Sequence, residues 1–331
     1  MDRIFTDLFD TNYPILLQIL LVRVIYSPTE LPPGPRKVCL AIGFFDGVHL
    51  GHQQIIRQTV ADGESHEALA VVVTFDQHPN TVVAPDRVPP LIYSLPQKLR
   101  AISSTGADTT LLLRFDEKFS RQTGEEFVRW LVREFGHLTS ICVGSSFTFG
   151  HRRSGNVDLL KRLGAEFKFT VHGLAAVSLD EEVVSSTRIR ETIRAGQLDL
   201  ASQMLGRPYA LCGAVLKGDG LGRKLGFPTA NLDIAGLLTP PRGVYAVHAH
   251  EAGRTHRAVL NIGVRPTIQS GAPELRVEAH LLDFNGELYG KELELSFVEK
   301  LRDEQKFPTV EVLKAQIRSD IERAVRLFEE A

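Results

Sequence analysis

The sequence predicts two joined folds: a doubly wound α/β domain, then a small antiparallel β-barrel closed off by a terminal helix. Three observations carry that prediction. From residue 38 to about 180, short apolar runs alternate with helical patterns, the rhythm of a parallel sheet wrapped by helices. Beyond Pro208 the texture changes to strand-like runs punctuated by glycine and proline, which suits a barrel or sandwich. After Pro308, Leu313, Ile317, Ile321, Ala324 and Phe328 recur every three or four residues, so a helix should lay that face across the barrel. A chain of 331 residues can bury two cores. The expected division is an N-terminal extension over 1–21, a first domain over 22–203 and a second over 204–331, meeting at a junction rather than a long tether.

Taken in order, the stretch from Tyr13 to Tyr26 is apolar but interrupted by Gln18 and Arg23, and it follows acidic Asp2, Asp7 and Asp10. It is too short to span a bilayer and predicts a short helix or strand packed on the protein, with a weak signal sequence as the alternative. Val38 to Ile42 is a continuous apolar run that leads into Gly43-Phe44-Phe45-Asp46-Gly47-Val48-His49-Leu50-Gly51-His52. That reads as a strand buried on both faces, a phosphate loop and a helix start, because a helix N-terminus straight after a strand suits an anion. His49 and His52 are three apart, so a helix beginning near Val48 lets both imidazoles donate to one phosphate, with Gly51 leaving the backbone open between them.

Leu69 to Phe75, Thr110 to Phe115 and Ile141 to Gly144 are the next strands. Thr123 and Glu126 form a capping box before Phe127, Trp130, Leu131 and Phe135, which marks a structural helix. Ser185, Ser186 and Thr187 are N-cap candidates for a helix ending near Ala195-Gly196, and Leu198 to Leu205 is helical up to Gly206. Tyr209 to Lys217, Val244 to His250, Ala258 to Ile262, Glu274 to Phe284 and Lys291 to Val298 supply the barrel strands.

A net charge of −2 with 24% charged and 43% hydrophobic residues shows no basic excess, so small-molecule substrates are expected and neither a nucleic-acid nor a membrane partner. Cys39, Cys142 and Cys212 lack any C-x-x-C spacing and read as buried thiols of a reducing, cytoplasmic compartment. A homo-oligomer is left open.

Gly43 to His52, Thr74 to Pro79 and Gly144 to Asn156 fall where a doubly wound sheet places ligands, and the Ser186-Thr187-Arg188 helix start adds a fourth segment. Histidines, an aspartate, hydroxyls and arginines make a kit for a triphosphate. No nucleophile stands out, and none is needed for nucleotidyl transfer, which rests on alignment and on neutralising charge.

In the second half, Lys217 to Gly226 packs four glycines and three cations into ten residues, a phosphate nest by composition that matches neither Walker A nor G-x-G-x-x-G. A solvated turn is the alternative. If Phe227 to Asn231 is extended, Thr229 and Asn231 share a side and suit Mg²⁺, though both are also ordinary turn residues. Alternation over Glu274 to Leu281 turns Leu275, Val277, Ala279 and Leu281 one way and Arg276, Glu278 and His280 the other. Glu278 is then either a general base or part of a solvated polar face.

These residues also carry a resemblance. Gly43 to Gln53, together with Ser185 to Arg190 and with Val143-Gly144, Phe147 to Gly150 and Arg153 to Asn156, closely resembles the Rossmann-like adenylyltransferase half of bacterial bifunctional riboflavin kinase/FAD synthetases. Gly222-Arg223, Leu225 to Asn231, Gly243 to Tyr245, Asn261 to Gly263 with Arg265 to Thr267, Val277-Glu278, His280 to Phe284, Leu301-Arg302 and Glu304 to Phe307 look like riboflavin kinase. The likeness runs over roughly residues 22 to 330.

It implies that riboflavin is phosphorylated by ATP to FMN, and that FMN is adenylylated to FAD with Mg²⁺ present. His49 and His52 are then the catalytic pair on the ATP phosphates, with Gly43, Phe45, Asp46, Gly51, Ser186, Thr187 and Arg188 binding the same nucleotide. Asp76, His78, Pro79, Gly144, Ser146, Phe147 and Phe149 line the flavin and nucleotide region. In the kinase half Gly222, Arg223, Gly226, Pro228, Thr229 and Asn231 hold Mg-ATP, Thr229 and Asn231 being the metal ligands, and Glu278 activates the riboflavin 5'-hydroxyl. Ser146 stands where the family usually has Asp or Asn, and Gln77 where Pro is common. Two rivals follow: a kinase whose adenylyltransferase has lapsed, making FMN without FAD, and a flavin carrier that consumes no ATP.

Overall fold

A computed structural model describes residues 23–31, 37–265 and 274–330. The N-terminal extension and the Pro266-Thr267 part of the kinase-like pattern lie outside the described residues. The described residues divide into two compact units: those up to 89 with 95–184, and 90–94 with those from 185 on.

In the first unit β1 (Arg23–Ile25), β2 (Lys37–Ile42) and α1 (Leu50–His66) are followed by β3 (Leu69–Phe75), α2 (Asn80–Val83) and α3 (Leu95–Ser103). Next come β4 (Thr109–Leu113), α4 (Glu117–Ser120), α5 (Gly124–Phe135) and β5 (His137–Gly144). A two-residue pair, β6 (Thr148–Phe149) and β7 (Gly155–Asn156), precedes α6 (Val157–Phe167) and β8 (Thr170–Leu174), and a small hairpin of β9 (Ser178–Leu179) and β10 (Glu182–Val183) closes the unit.

The main sheet is six-stranded and wholly parallel, in the order β1-β4-β3-β2-β5-β8. Its central strands are Val-, Ile- and Leu-rich because helices cover both faces. Val38, Leu40 and Ile42 turn to the side of Phe127, Leu131, Leu160 and Leu163 from α5 and α6. On the other side α1 packs, and its Asp62 reaches Ser140 and Cys142 of β5. Each fully buried Val, Leu or Ile stabilises by about 1.5–3 kcal/mol. The capping box forms as predicted: Thr123 accepts from the Glu126 amide, and Glu126 accepts from the Thr123 amide at 2.8 Å. The chain steps from β2 to β3 to β4 in one direction and returns to β5 on the other side of β2. The C-terminal ends of β2 and β5 therefore form the switch point where such sheets bind ligands.

The second unit opens with α7 (Ser186–Arg194) and α8 (Leu198–Leu205), which ends at left-handed Gly206. β11 (Ala210–Leu216), α9 (Leu221–Leu225), β12 (Ala230–Leu232), β13 (Gly243–Glu251), β14 (Arg254–Arg265), β15 (Glu274–Leu281) and β16 (Glu292–Asp303) follow, then α10 (Val310–Glu330). The strands close as an antiparallel barrel in the order β11-β12-β15-β14-β13-β16. α10 lays Ile321, Ala324 and Phe328 against Val244, Ala246, Val259 and Leu301, as its apolar spacing requires. The glycine-rich run differs from an open nest. A one-turn helix, α9, stands between left-handed Gly220 and Gly226. The three cysteines are buried and unbridged, and among the described residues no helix is long and apolar enough to cross a membrane.

Candidate active sites

The loop after β2 departs from ordinary backbone geometry. Phe45 (φ 56°), Gly47 (φ 75°) and Val48 (φ 40°) all have positive φ, which for a β-branched residue such as Val48 is a genuine outlier. Strain of this kind costs about 1–3 kcal/mol per residue and persists where the surroundings over-determine it. The result is placement. His49 sits at the N-cap of α1 and His52 in its first turn, their rings stacked at 3.6 Å and 21°. Phe45, almost fully buried, sets its ring edge-on to His52 at 5.2 Å.

Two glycines make room for that stack. A Cβ on Gly51 would lie 3.3 Å from His49 Cε1, and one on Gly43 would lie 2.9 Å from the Phe45 ring. Asp46 is buried in the same turn. The helix begins at Leu50, two residues later than the spacing suggested, which puts His49 at the mouth of the helix rather than on its side.

The loop after β3 is tied to this turn. The Thr74 hydroxyl donates to the Phe44 carbonyl at 3.0 Å, and the His78 ring meets the Phe44 ring edge-on at 4.9 Å. Asp76 accepts from the Phe115 amide, Gln77 donates to the Phe115 carbonyl, and Pro79 precedes α2.

After β5, the backbone of Gly144 accepts from the Phe147 amide, and exposed Ser146 with Phe147 lines a cleft of about 380 Å³ shared with Asn156, Lys161 and Gly173. Phe149 is not among the cleft's lining residues: its ring stacks on Phe147 at 5.2 Å, packs toward Phe127 and fills the space that a Cβ on Gly155 would take. Ser186, Thr187 and Arg188 form the first turn of α7, capped by the Ser185 hydroxyl, and belong to the second unit.

In the barrel, a cavity of about 430 Å³ gathers most of the predicted kinase residues: Gly222, Arg223, Pro228, Thr229, Asn231 and Glu278 all line it. Gly226 instead ends α9. Pairing register explains the convergence. Glu278 on β15 stands opposite Asn231 of β12 on one side and Asn261 of β14 on the other. The alternation over β15 is as expected, with Val277, Ala279 and Leu281 buried. On the opposite face Arg276, Glu278 and His280 are partly exposed and line the cavity. His280 bonds the Pro228 carbonyl at 2.7 Å, and Arg276 pairs with Asp219 at 3.2 Å. Glycine is required at two points: a Cβ on Gly218 would sit 2.4 Å from the Asn231 amide nitrogen, and one on Gly222 would sit 3.0 Å from the Thr229 hydroxyl.

Comparison with known proteins matches these two sites separately. The sequence model of the FAD synthetase family fits residues 32–188, and that of riboflavin kinase fits residues 205–328. The bifunctional riboflavin kinase/FMN adenylyltransferase of Haemophilus influenzae is 34% identical over 309 residues, covering 93% of this chain and 99% of its own. The chain belongs to the bifunctional riboflavin kinase/FMN adenylyltransferase family.

Its relatives of that name in Escherichia coli K12 (35% identity, 91% of this chain and 95% of its own) and Pseudomonas fluorescens (38%, 92% and 96%) agree. A crystal structure described as a macrolide-efflux protein of Streptococcus pneumoniae matches with a TM-score of 0.76 and 28% identity, covering 91% of this chain and 98% of that one. As a member of the bifunctional riboflavin kinase/FMN adenylyltransferase family, the chain is a transferase with kinase and nucleotidyltransferase activities.

Several residues of this bifunctional enzyme were given no site role by the sequence, although Asn261 and Arg302 belong to runs that carry the riboflavin kinase resemblance. Asn261 faces Glu278, yet nothing in its own strand pattern distinguishes it. Asp320, buried on α10, takes a bidentate bond from Arg302 at 2.8 to 3.1 Å and a further one from Gln316, which fixes the helix wall of the barrel cavity. Lys98 lies buried on α3. Both Asp320 and Lys98 carried a readable signal: a charge in an otherwise apolar helical stripe, Asp320 between Ile317 and Ala324, Lys98 before Ala101 and Ile102.

Proposed function

We propose that the two units act in series on one flavin. The barrel moves the γ-phosphoryl group of ATP to the 5'-hydroxyl of riboflavin, giving FMN and ADP. The α/β unit then joins FMN to the AMP moiety of a second ATP: an FMN phosphate oxygen attacks the α-phosphorus, the bond to the β-phosphate bridge breaks, and pyrophosphate leaves. The observation that supports the kinase assignment best is the position of Glu278, held by strand register between two asparagines and facing the cavity. A carboxylate so placed takes the proton of the attacking hydroxyl, a role worth ~10² to 10⁴ in rate.

The oxygens of Thr229 and Asn231 are neutral and hard, and the cradle over them stays open only because Gly218 and Gly222 lack a Cβ, so this donor set fits Mg²⁺ carried by ATP. Such an ion supplies charge neutralisation at the phosphates. In the α/β unit the stacked His49 and His52 donate to ATP phosphate oxygens as charge develops there, while the Phe45–Val48 turn keeps the rings in place. The family resemblance adds Ser186, Thr187 and Arg188 as phosphate ligands, and Asp76, His78, Ser146 and Phe147 on the flavin side. Buried, unbridged thiols suit a reducing cytoplasm.

Purified protein given riboflavin and MgATP should form FMN first and FAD after it, separable by chromatography. Formation of neither FMN nor FAD would refute the reading, and FMN without FAD would leave only its kinase half standing.

A further inference from the structure

Among the described residues Lys98 is the lysine that the fold buries, with 4% of its surface exposed. Its ammonium lies 2.6 Å from the Phe75 carbonyl oxygen and 3.4 Å from that of Phe44, and 4.3 Å from the centroid of the Phe44 ring. Phe75 is the last residue of β3 and leads into the Asp76–Pro79 loop. Phe44 leads into the strained turn that presents His49. One cation therefore bonds both loops at the C-terminal edge of the sheet.

The charged groups that act on it are Asp46 on the turn and Asp76, the first residue after β3, and His78 stands against the same Phe44 ring. Stability alone does not account for a lysine here. Burying an ammonium costs several kcal/mol even after relaxation, and well-packed apolar side chains often replace buried ions without loss.

We propose that Lys98 is a positioning residue of the adenylyltransferase, its ammonium locking the Phe44–Val48 turn to the Thr74–Pro79 loop so that the histidine pair and the flavin-side loop hold one geometry during FMN adenylylation. The proposal rests on the reading that His49 and His52 bind the ATP phosphates. A neutral amine can still donate to the two carbonyls, but only the protonated one makes these bonds charge-assisted and holds the cation–π contact with Phe44. Burial pushes Lys98 down to about 8, against the pull of Asp46 and Asp76, so the lock weakens as pH rises through that value.

The test uses the full chain with FMN and MgATP supplied, following kcat and KM for FAD formation from about pH 6.5 to 9.5. Riboflavin kinase activity and thermal unfolding are measured on the same preparations. Wild type should lose FAD formation on an alkaline limb near 8. Lys98→Met should lower kcat by ~10²-fold, the scale of a small misplacement of reacting groups, with no such limb and with kinase activity kept. Lys98→Arg, charged at every pH used, should recover part of kcat and carry no limb in this range.

A Lys98→Met enzyme with wild-type kcat, or one that loses both activities together with its fold, would overturn the proposal; so would a limb near 8 that persists in Lys98→Arg. Wild type forming no FAD at all would instead remove the adenylyltransferase reading beneath it.

Discussion

The two candidate sites are built by different constructions. The histidine pair comes from one turn: His49 and His52 are three residues apart, and their placement follows from the local backbone of Phe45 to Val48. The glutamate site comes from register: Asn231, Glu278 and Asn261 lie on three strands and meet because those strands pair as they do. A site made by a turn depends on the few residues that strain the turn, and one made by register depends on every ladder that sets the pairing. That difference predicts where each is vulnerable.

The largest effect is expected at Glu278, because pairing register holds its carboxylate between Asn231 and Asn261, facing the cavity. Glu278→Ala should cut FMN formation by ~10² to 10⁴. Supplied FMN should still be adenylylated. His49→Ala should do the reverse, lowering FAD formation by ~10² to 10³ as one donor to the developing charge is lost, with FMN formation spared. Loss of both activities from either change in a folded protein would break the division into two independent sites.

How much of this was legible in the sequence follows the same contrast. The strand, loop and helix around His49, the capping box at Thr123 and Glu126, and the alternation on β15 are periodic or local, so they could be read directly. β12 has three residues and no period of its own; only its pairing with β11 and β15 makes it a strand. Asn261 became a site residue, and Arg302 the partner of Asp320, through contacts between distant positions that no local pattern encodes. Within the glycine-rich run the cations and glycines were visible, but the turn of helix at α9 depends on left-handed Gly220 and Gly226 bounding it.

Glycine substitutions sharpen the comparison at smaller scale. Gly218→Ala pushes a methyl against the Asn231 side chain, 2.4 Å away, and the barrel must shift this proposed Mg-ATP ligand to admit it. We expect kinase kcat/KM for MgATP to fall by ~10-fold. Gly51→Ala meets only the edge of the His49 ring at 3.3 Å, which can move by a few tenths of an ångström. FAD formation should therefore fall by less than kinase activity does in Gly218→Ala. The opposite ranking would mean that the stacked rings tolerate less movement than the barrel does.

The smallest effect on activity is expected beneath the sheet, at Asp62. Its carboxylate accepts from Ser140 at 2.6 Å and from Gln58 at 2.8 Å, and stands 3.2 Å from His172. Burial pushes the carboxyl up, but the bonds from Ser140 and Gln58 outweigh it and hold the group below its usual range. A carboxylate lowered in this way stabilises the fold above its unfolded value of about 3.9, and that contribution disappears as pH falls through the folded value. Asp62→Asn turns an amide toward groups that donate, so the first unit should lose about 1–3 kcal/mol at neutral pH while both activities persist. In thermal unfolding of that unit, the gap between wild type and Asp62→Asn should hold steady down to about pH 4 and narrow below it. A gap that stays unchanged below about pH 4 would show that the ionised Asp62 carboxylate is not what the variant removes.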